Sequence, residues 1–461
     1  MKYLFTLFAL ISLSTNIFAQ TEVSGQQSGT WIADSSPYLV VGDIIVATGQ
    51  TLNIEAGVEV NFQGHYKLTV NGDLQAIGTE SDSVFFTTDN QATGWGGIRF
   101  ENSSQINTLS YCRIEFGKTS GEYPDNHGGG IALIGADAVV SNCVFANNEA
   151  IADDSGMGGA VYANGTGSPS GPLTFFTDCK FLGNHAYGEG GAIKFTGDMN
   201  TEIKSCEFIG NDCNYGGGAI SCYSVFDTKI IYCLFADNYT MYSNGGAVNA
   251  LGFGNTLFFE NCTMSGNSAV TGDGGAVDLA YADVDFVNCI VFDNPGMYSD
   301  DIYLDFGGYA EINYCNLTMP DGATGSNNIN ENPQFLDAGN FDFHLDGNSP
   351  CIDAGTDIGY EYFGEAPDMG CYEYGMTTGS IESGANIFSV YPNPTSGIVY
   401  FELGNDKIQR VSISDLTGKI VVEAIVPYKN QGIDLSGLEK GTYIILFKKE
   451  KGSISKKIVK E

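Results

Sequence analysis

Cys179-Lys180-Phe181-Leu182-Gly183-Asn184, followed by Gly190-Gly191-Ala192-Ile193, is a phrase that this chain repeats. Cys206-Glu207-Phe208-Ile209-Gly210-Asn211 precedes Gly217-Gly218-Ala219-Ile220 in the same way, and Cys233-Leu234-Phe235-Ala236-Asp237-Asn238 precedes Gly245-Gly246-Ala247-Val248. Working outward, Cys112, Cys143, Cys179, Cys206, Cys233, Cys262, Cys289 and Cys315 are separated by 31, 36, 27, 27, 29, 27 and 26 residues. A core period of about 27 marks a repeat protein, in which each unit buries its apolar face only by stacking on its neighbours. The two long gaps take up insertions such as Asn164 to Pro172, where glycine, serine and proline accumulate.

Two residues past the cysteines stand Ile114, Phe145, Phe181, Phe208, Phe235, Met264, Val291 and Leu317. An offset of two is strand spacing, so cysteine and apolar residue point to one face. Five past stand Asn148, Asn184, Asn211, Asn238, Asn267 and Asn294, a residue type expected to turn the chain and to accept left-handed backbone. The Gly-Gly step predicts a tight bend and the aliphatic after it an inward position. Helical periodicity is absent. The reading is all-β: a right-handed parallel β-helix with end caps over residues 21–375, whose equivalent residues lie ~4.8 Å apart in internal ladders of cysteine, phenylalanine and asparagine. Cys222 joins a second inward row with Leu133, Ala163, Phe195, Ala250 and Leu279.

These phrases resemble the Phe-x-x-Asn and Gly-Gly-Ala-Ile/Leu/Val repeats of the chlamydial polymorphic outer-membrane proteins over about residues 112–294, departing at Met264 and Val291, where the aromatic is lost. The resemblance implies a surface-displayed β-helix. The alternating run Thr51 to Phe62 and the segment Gly94 to Phe100 resemble the opening coils of secreted bacterial β-helix proteins of the pectate-lyase-like class. Asn332 to Phe335 and Ser349 to Asp353 are similar to the closing segment of that class, and both ends read as caps.

Lys2, the apolar run Tyr3 to Leu13 and Ile17-Phe18-Ala19-Gln20 predict a secretory signal peptide over residues 1–20. No later stretch has the apolar length of a spanning helix. Stacked cysteines point in parallel, which favours buried free thiols over bridges. Cys351 and Cys371 fall outside the period and are the candidate disulfide pair, and no CxxC or matched histidine spacing suggests zinc. The chain has 20 Lys plus Arg and 55 Asp plus Glu; 11 and 9 of these lie from residue 376 onward, so 9 and 46 precede it. So acidic a solenoid disfavours nucleic acid as a partner. A monomer is expected.

After a linker at residues 376–387, residues 388–461 predict a small immunoglobulin-like β-sandwich with strands near 398–403, 410–414, 420–426, 442–448 and 453–459. This unit resembles the C-terminal sorting domain of the type IX secretion system of Bacteroidota in Tyr391-Pro392-Asn393-Pro394, in Gly441 and Tyr443, and in Lys457 and Lys460. The resemblance implies passage through the periplasm and across the outer membrane, recognition by the translocon, and removal by a sortase as the chain is attached to surface lipopolysaccharide or released.

Counting from each cysteine also names the outward side chains. One past the aliphatic of the glycine step stand Ala132, Tyr162, Lys194, Ser221, Asn249 and Asp278, and three past stand Ile134, Asn164, Thr196, Tyr223, Leu251 and Ala280. Tyr162, Lys194 and Asp278 are the candidate catalytic groups, Tyr162 beside Lys194 having the chemistry of a β-elimination. Tyr162, Lys194, Tyr223, Asn249 and Asp278 are the candidate ligand-binding set. A lyase for uronates must also neutralise a carboxylate, for which the β-helix offers Arg99 and Arg113, or calcium at Asp153-Asp154 or Asp300-Asp301. Otherwise no cofactor and no metal is expected. A hydrolase needs two facing carboxylates, and Asp278 has no partner in its column. The sequence therefore favours a non-catalytic adhesin or glycan-binding protein at the cell surface over a polysaccharide lyase or glycoside hydrolase, with a purely structural passenger third.

Overall fold

One coil runs through four strands, Ile193–Thr196, Asn200–Lys204, Glu207–Ile209 and Asp212–Cys213, and returns as Ile220–Tyr223. Each strand pairs in parallel with its equivalent one coil on, which generates four faces of a parallel β-helix, here numbered 1 to 4 in that order. The computed structural model describes residues 20–375 except 102, 104, 105, 166–172, 198, 226, 227 and 298–300, together with 390, 391, 398–401, 408–415, 420–425, 433–438, 440–449 and 453–460. The expected signal peptide, the linker 376–387, and Pro392, Asn393 and Pro394 lie outside the described residues. The chain divides into two compact units, Met1–Met376 and Thr377–Glu461.

Along face 1 the register runs Ile98, Ile131, Val161, Ile193, Ile220, Val248, Val277 and Ile302, all inward. The second inward row, with Phe195, Cys222, Ala250 and Leu279 in line, is buried as the sequence predicts. The two glycines before each strand serve different ends. Gly190 has φ +67°, which an L side chain rarely adopts, whereas a Cβ on Gly191 would lie 2.1 Å from the carbonyl oxygen of Gly218 in the next coil. One glycine makes the bend and the other lets the coils touch.

On face 3 the rings of Phe145, Phe181, Phe208 and Phe235 stack with centroids 5.0, 4.7 and 4.8 Å apart and nearly parallel planes. The asparagines form a buried ladder: Nδ2 of Asn184 donates to Oδ1 of Asn211 and to the carbonyl of Phe145, and the Asn184 backbone N–H donates to the same Oδ1. The pattern repeats from Asn148 to Asn294, begins at the N–H of Gly117 and ends at Oδ1 of Asp301. Left-handed backbone, expected at these asparagines, falls one residue earlier, at Asn147, Gly183, Gly210, Asp237, Gly266 and Asp293. An amide that must reach its copy in the next coil points inward, so the corner passes to its neighbour.

All twelve cysteines are buried free thiols. In the ladder each donates to the carbonyl two residues before it, as Cys206 does to Lys204 and Cys289 to Val287, and several accept the N–H of the preceding coil's cysteine. The candidate pair Cys351 and Cys371 is not bridged. Cys351 packs with Ile290, Leu345 and Met369, and Cys371 with Leu234, Ala236 and Phe343, two separate apolar clusters.

Those clusters also revise the closing segment. Residues 335–375 turn back along the outside of face 3 as a strap. The outward positions beneath it are Leu234, Thr263 and Ile290, at most 2% exposed. One and two coils before Leu234 the same column carries Glu207 and Lys180, a solvent-facing ion pair at 2.9 Å. Further bonds fix the strap: Cys371 N–H donates to Thr263 Oγ1, Gly370 N–H to the carbonyl of Asn288, and Tyr360 OH to the Glu260 carboxylate.

In the second unit, Val390–Tyr391, Ile398–Phe401 and Ile433–Asp434 form one antiparallel sheet. Ile408–Asp415, Ile420–Ile425, Gly441–Lys449 and Ser453–Lys460 form another. Val411, Ile413, Ile433, Leu435, Tyr443, Ile445 and Ile458 make its core.

Candidate functional site

The outer surface of face 1 holds the residues singled out by parity. Arg99, Ala132, Tyr162, Lys194, Ser221, Asn249 and Asp278 stand in one column by strand register, with Tyr303 next after Asp278. Their direction is as expected and their accessibility is not: Tyr162, Lys194, Ser221, Asn249 and Asp278 are all buried. The reason is the segment joining face 4 to face 1 in each coil, which folds over the column. His127 lies with its ring 4.5 Å from that of Tyr162, and Tyr123 meets Tyr162 edge-on. Glu189 reaches both Lys194 Nζ, at 2.5 Å, and Ser221 Oγ, at 2.8 Å, while Lys194 Nζ also donates to Ser221 Oγ at 3.0 Å. Asn249 Nδ2 donates to Asp278 Oδ2 at 2.7 Å and Asn244 Nδ2 to Oδ1.

Burial sets the protonation of these groups. It pushes the Asp278 carboxyl up to about 7, helped by Asp305 and opposed by the two asparagine amides. It pushes the Tyr162 phenol above its ordinary value and His127 down to about 4, which keeps that imidazole neutral. Tyr162 and Lys194 are therefore register neighbours as a β-elimination requires, but the ammonium is engaged by a carboxylate and both lie under a loop. Of the two arginines, Arg99 is 1% exposed and donates to the carbonyls of His127 and Gly128, and Arg113 pairs with Glu115. Asp301 is the acceptor that ends the asparagine ladder, and Asp300 lies outside the described residues. Among the described residues, no group of three or more His, Cys, Asp or Glu side chains is arranged to hold a metal ion.

Tyr223, from the second outward column, is exposed and covers Lys194, whose Nζ lies 5.8 Å from its ring centroid. Three further tyrosines were not singled out by sequence. Tyr187, Tyr215 and Tyr242 follow face 4 in successive coils, with ring centroids 6.2 Å apart at both steps. The signal was present, since they stand eight, nine and nine residues past their cysteines.

In the C-terminal unit Gly441, Tyr443, Lys457 and Lys460, of the sorting-signal candidates, share one strand pair, whereas Tyr391 lies opposite Tyr400 in the other sheet. Gly441 is opposite Lys460, Ile444 opposite Lys457, and Tyr443 opposite Ile458 and Asp415. Tyr443 is part of the core, and Lys460 is buried rather than displayed.

Residues 389–461 match the family model of the secretion system C-terminal sorting domain, and residues 178–196 match that of the Chlamydia polymorphic membrane protein repeat. The first match carries export to the cell surface or the medium through the type IX machinery. The second covers Cys179 to Phe195, the phrase on which the repeat was read. No curated protein and no solved structure matches the chain. No helix among the described residues is long and apolar enough to cross a membrane.

Proposed function

We propose that this chain is a non-catalytic binding protein, an adhesin for glycan or for a cell-surface partner, which its C-terminal domain delivers to the surface or the medium. The domain order that goes with this reading is a cleaved signal peptide at 1–20, the β-helix at 21–375, a linker at 376–387 and the sorting domain at 388–461, recognised by translocon and sortase. One observation carries the binding role: on the outer side of face 1 the groups with acid–base chemistry are covered by loops, with Lys194 held by Glu189 and Ser221, whereas Tyr223 beside them and Tyr215 and Tyr242 after face 4 are exposed. Exposed aromatic side chains in a file mark a recognition surface. The test is incubation of the secreted chain with acidic and neutral polysaccharides, with and without calcium. Retention without products supports binding; unsaturated or newly reducing ends overturn it.

A second reading, a glycoside hydrolase, has one observation in its favour. Asp278 carries a carboxyl raised to about 7 beside Asp305, the kind of pairing that yields a general acid and a carboxylate. On that reading Asp278→Asn abolishes the release of reducing ends while binding persists.

A further inference from the structure

Two outward columns run side by side where face 4 meets the loops. The first is Glu149, His185, Asp212, Tyr239 and Ser268, in strand register from coil to coil. His185 Nδ1 and Asp212 Oδ2 are 2.7 Å apart, and Lys118 closes the top by pairing with Glu149. The second is Tyr187, Tyr215 and Tyr242, the latter two 48% and 62% exposed, with Thr271 at the following step. A file of phenol rings, advancing one per coil and flanked by a file of hydroxyl, carboxylate and imidazole groups, presents stacking surface and hydrogen-bonding partners along one straight line. Parallel β-strands impose that line, because each coil is displaced from the last by one strand spacing.

We propose that this double column is a binding site for a linear, neutral polysaccharide lying along the axis of the solenoid. The inference rests on the binding role above and adds to it the place and the ligand class. Sugar rings offer C–H faces to aromatic rings and hydroxyl edges to polar side chains, and each column supplies one of the two. Charge decides the class. Asp212 and Glu149 sit in the polar column, Asp154 lies near Tyr187, and the whole β-helix segment, residues 21–375, has 46 acidic against 8 basic residues. The strongly acidic β-helix repels a uronate or sulfated chain, whereas a neutral chain finds acceptors in Glu149 and Asp212 and donors in Lys118, Tyr239 and Ser268 for its hydroxyls. Tyr187, Tyr215 and Tyr242 lean on one another and not on the core, so their removal leaves the fold intact.

The experiment measures retention of the full exported chain on hydroxyethyl cellulose and glucomannan as neutral probes, and on polygalacturonate as the acidic one. Arms with EDTA and with calcium accompany each, and sedimentation reports the oligomeric state. Retention on a neutral probe is expected, insensitive to calcium, weakened at least tenfold by Tyr215→Ala and lost in the Tyr187→Ala/Tyr215→Ala/Tyr242→Ala variant at an unchanged melting temperature. The three Tyr→Phe changes should keep most of it. Neutral-glycan retention that survives the triple variant overturns this site but leaves a glycan-binding role standing. Retention on polygalacturonate alone, with or without calcium, overturns the ligand class. Self-association abolished by the triple variant assigns the surface to a second copy and overturns the proposal. Absence of retention on every glycan defeats the site and the glycan-binding role together.

Discussion

The asparagine ladder and, from Tyr162 to Asp278, the outer column of face 1 each bury one polar side chain per coil, and they satisfy it in opposite ways. In the ladder every residue is the same and bonds to its own copy one coil on, so the solution propagates by translation. In the outer column tyrosine, lysine, serine, asparagine and aspartate follow one another, and different loop residues, Glu189 and Asn244, answer lysine and aspartate. A periodic polar interior builds length. An aperiodic one fastens particular loops at particular coils.

The largest test of that contrast is Asn211→Ala. It strips acceptors from the N–H and Nδ2 of Asn184 and donors from Phe181 and Asn238. Several buried groups orphaned in a cooperative network should cost about 5 kcal/mol in denaturant unfolding. A loss under about 1 kcal/mol would mean that water replaces the ladder, and the distinction between the two files would collapse.

Asp278→Asn probes the outer column and should act in the stabilising direction. The native carboxyl titrates near 7 against 3.8 for the ordinary group, so its contribution is fully present below pH 3.8 and is lost as the pH rises through 7. The variant should match the parent near pH 4 and exceed it at pH 9, with on the order of 4 kcal/mol as the ceiling. Equal stabilities at both pH values would show the carboxyl to be solvated.

Lys194→Met should cost about 2 kcal/mol, because it leaves the Glu189 carboxylate over an apolar patch without its cation. Adding Glu189→Gln should restore part of the loss, and strict additivity of the two changes would separate them.

The smallest effect is Cys206→Ala, about 1 kcal/mol from lost packing and weak hydrogen bonds. A companion measurement is thiol accessibility. All twelve thiols are buried, and burial pushes Cys222 up to about 12 and Cys213 up to about 11; by inaccessibility alone, a thiol reagent should label no cysteine of the native chain and all twelve after denaturation.

The same contrast explains what the amino-acid sequence discloses. Cys206, Phe208, Asn211 and the Gly217-Gly218 step could be placed because each repeats an environment set by its own copies. Parity likewise gave the direction of Tyr162, Lys194 and Asp278. Their burial was illegible, because whether a loop lies over a strand depends on contacts such as Glu189 to Lys194, which among the described residues recur in no other coil. Leu234 and Ile290 carried a clue of this kind, being apolar on an outward column whose other members include Lys180 and Glu207. What covered them was a segment 55 to 137 residues further along the chain, from Leu345 on Ile290 to Cys371 on Leu234, beyond any local pattern. The tyrosine file was legible by the cysteine count, but only once face 4 was known to exist.

The strap at residues 335–375 changes how such a molecule comes apart. Coils that touch only their neighbours fray singly from a free end, each step lowering the next. Here Phe343 rests on the coil of Leu234, Cys371 is bonded to that of Thr263, and Leu345 and Met369 rest on that of Ile290. No one of these coils can melt without loosening a clasp shared by the others, so the last part of the solenoid becomes a single cooperative block. Force applied at the end of the strap would load that block as a whole and would not peel one coil at a time.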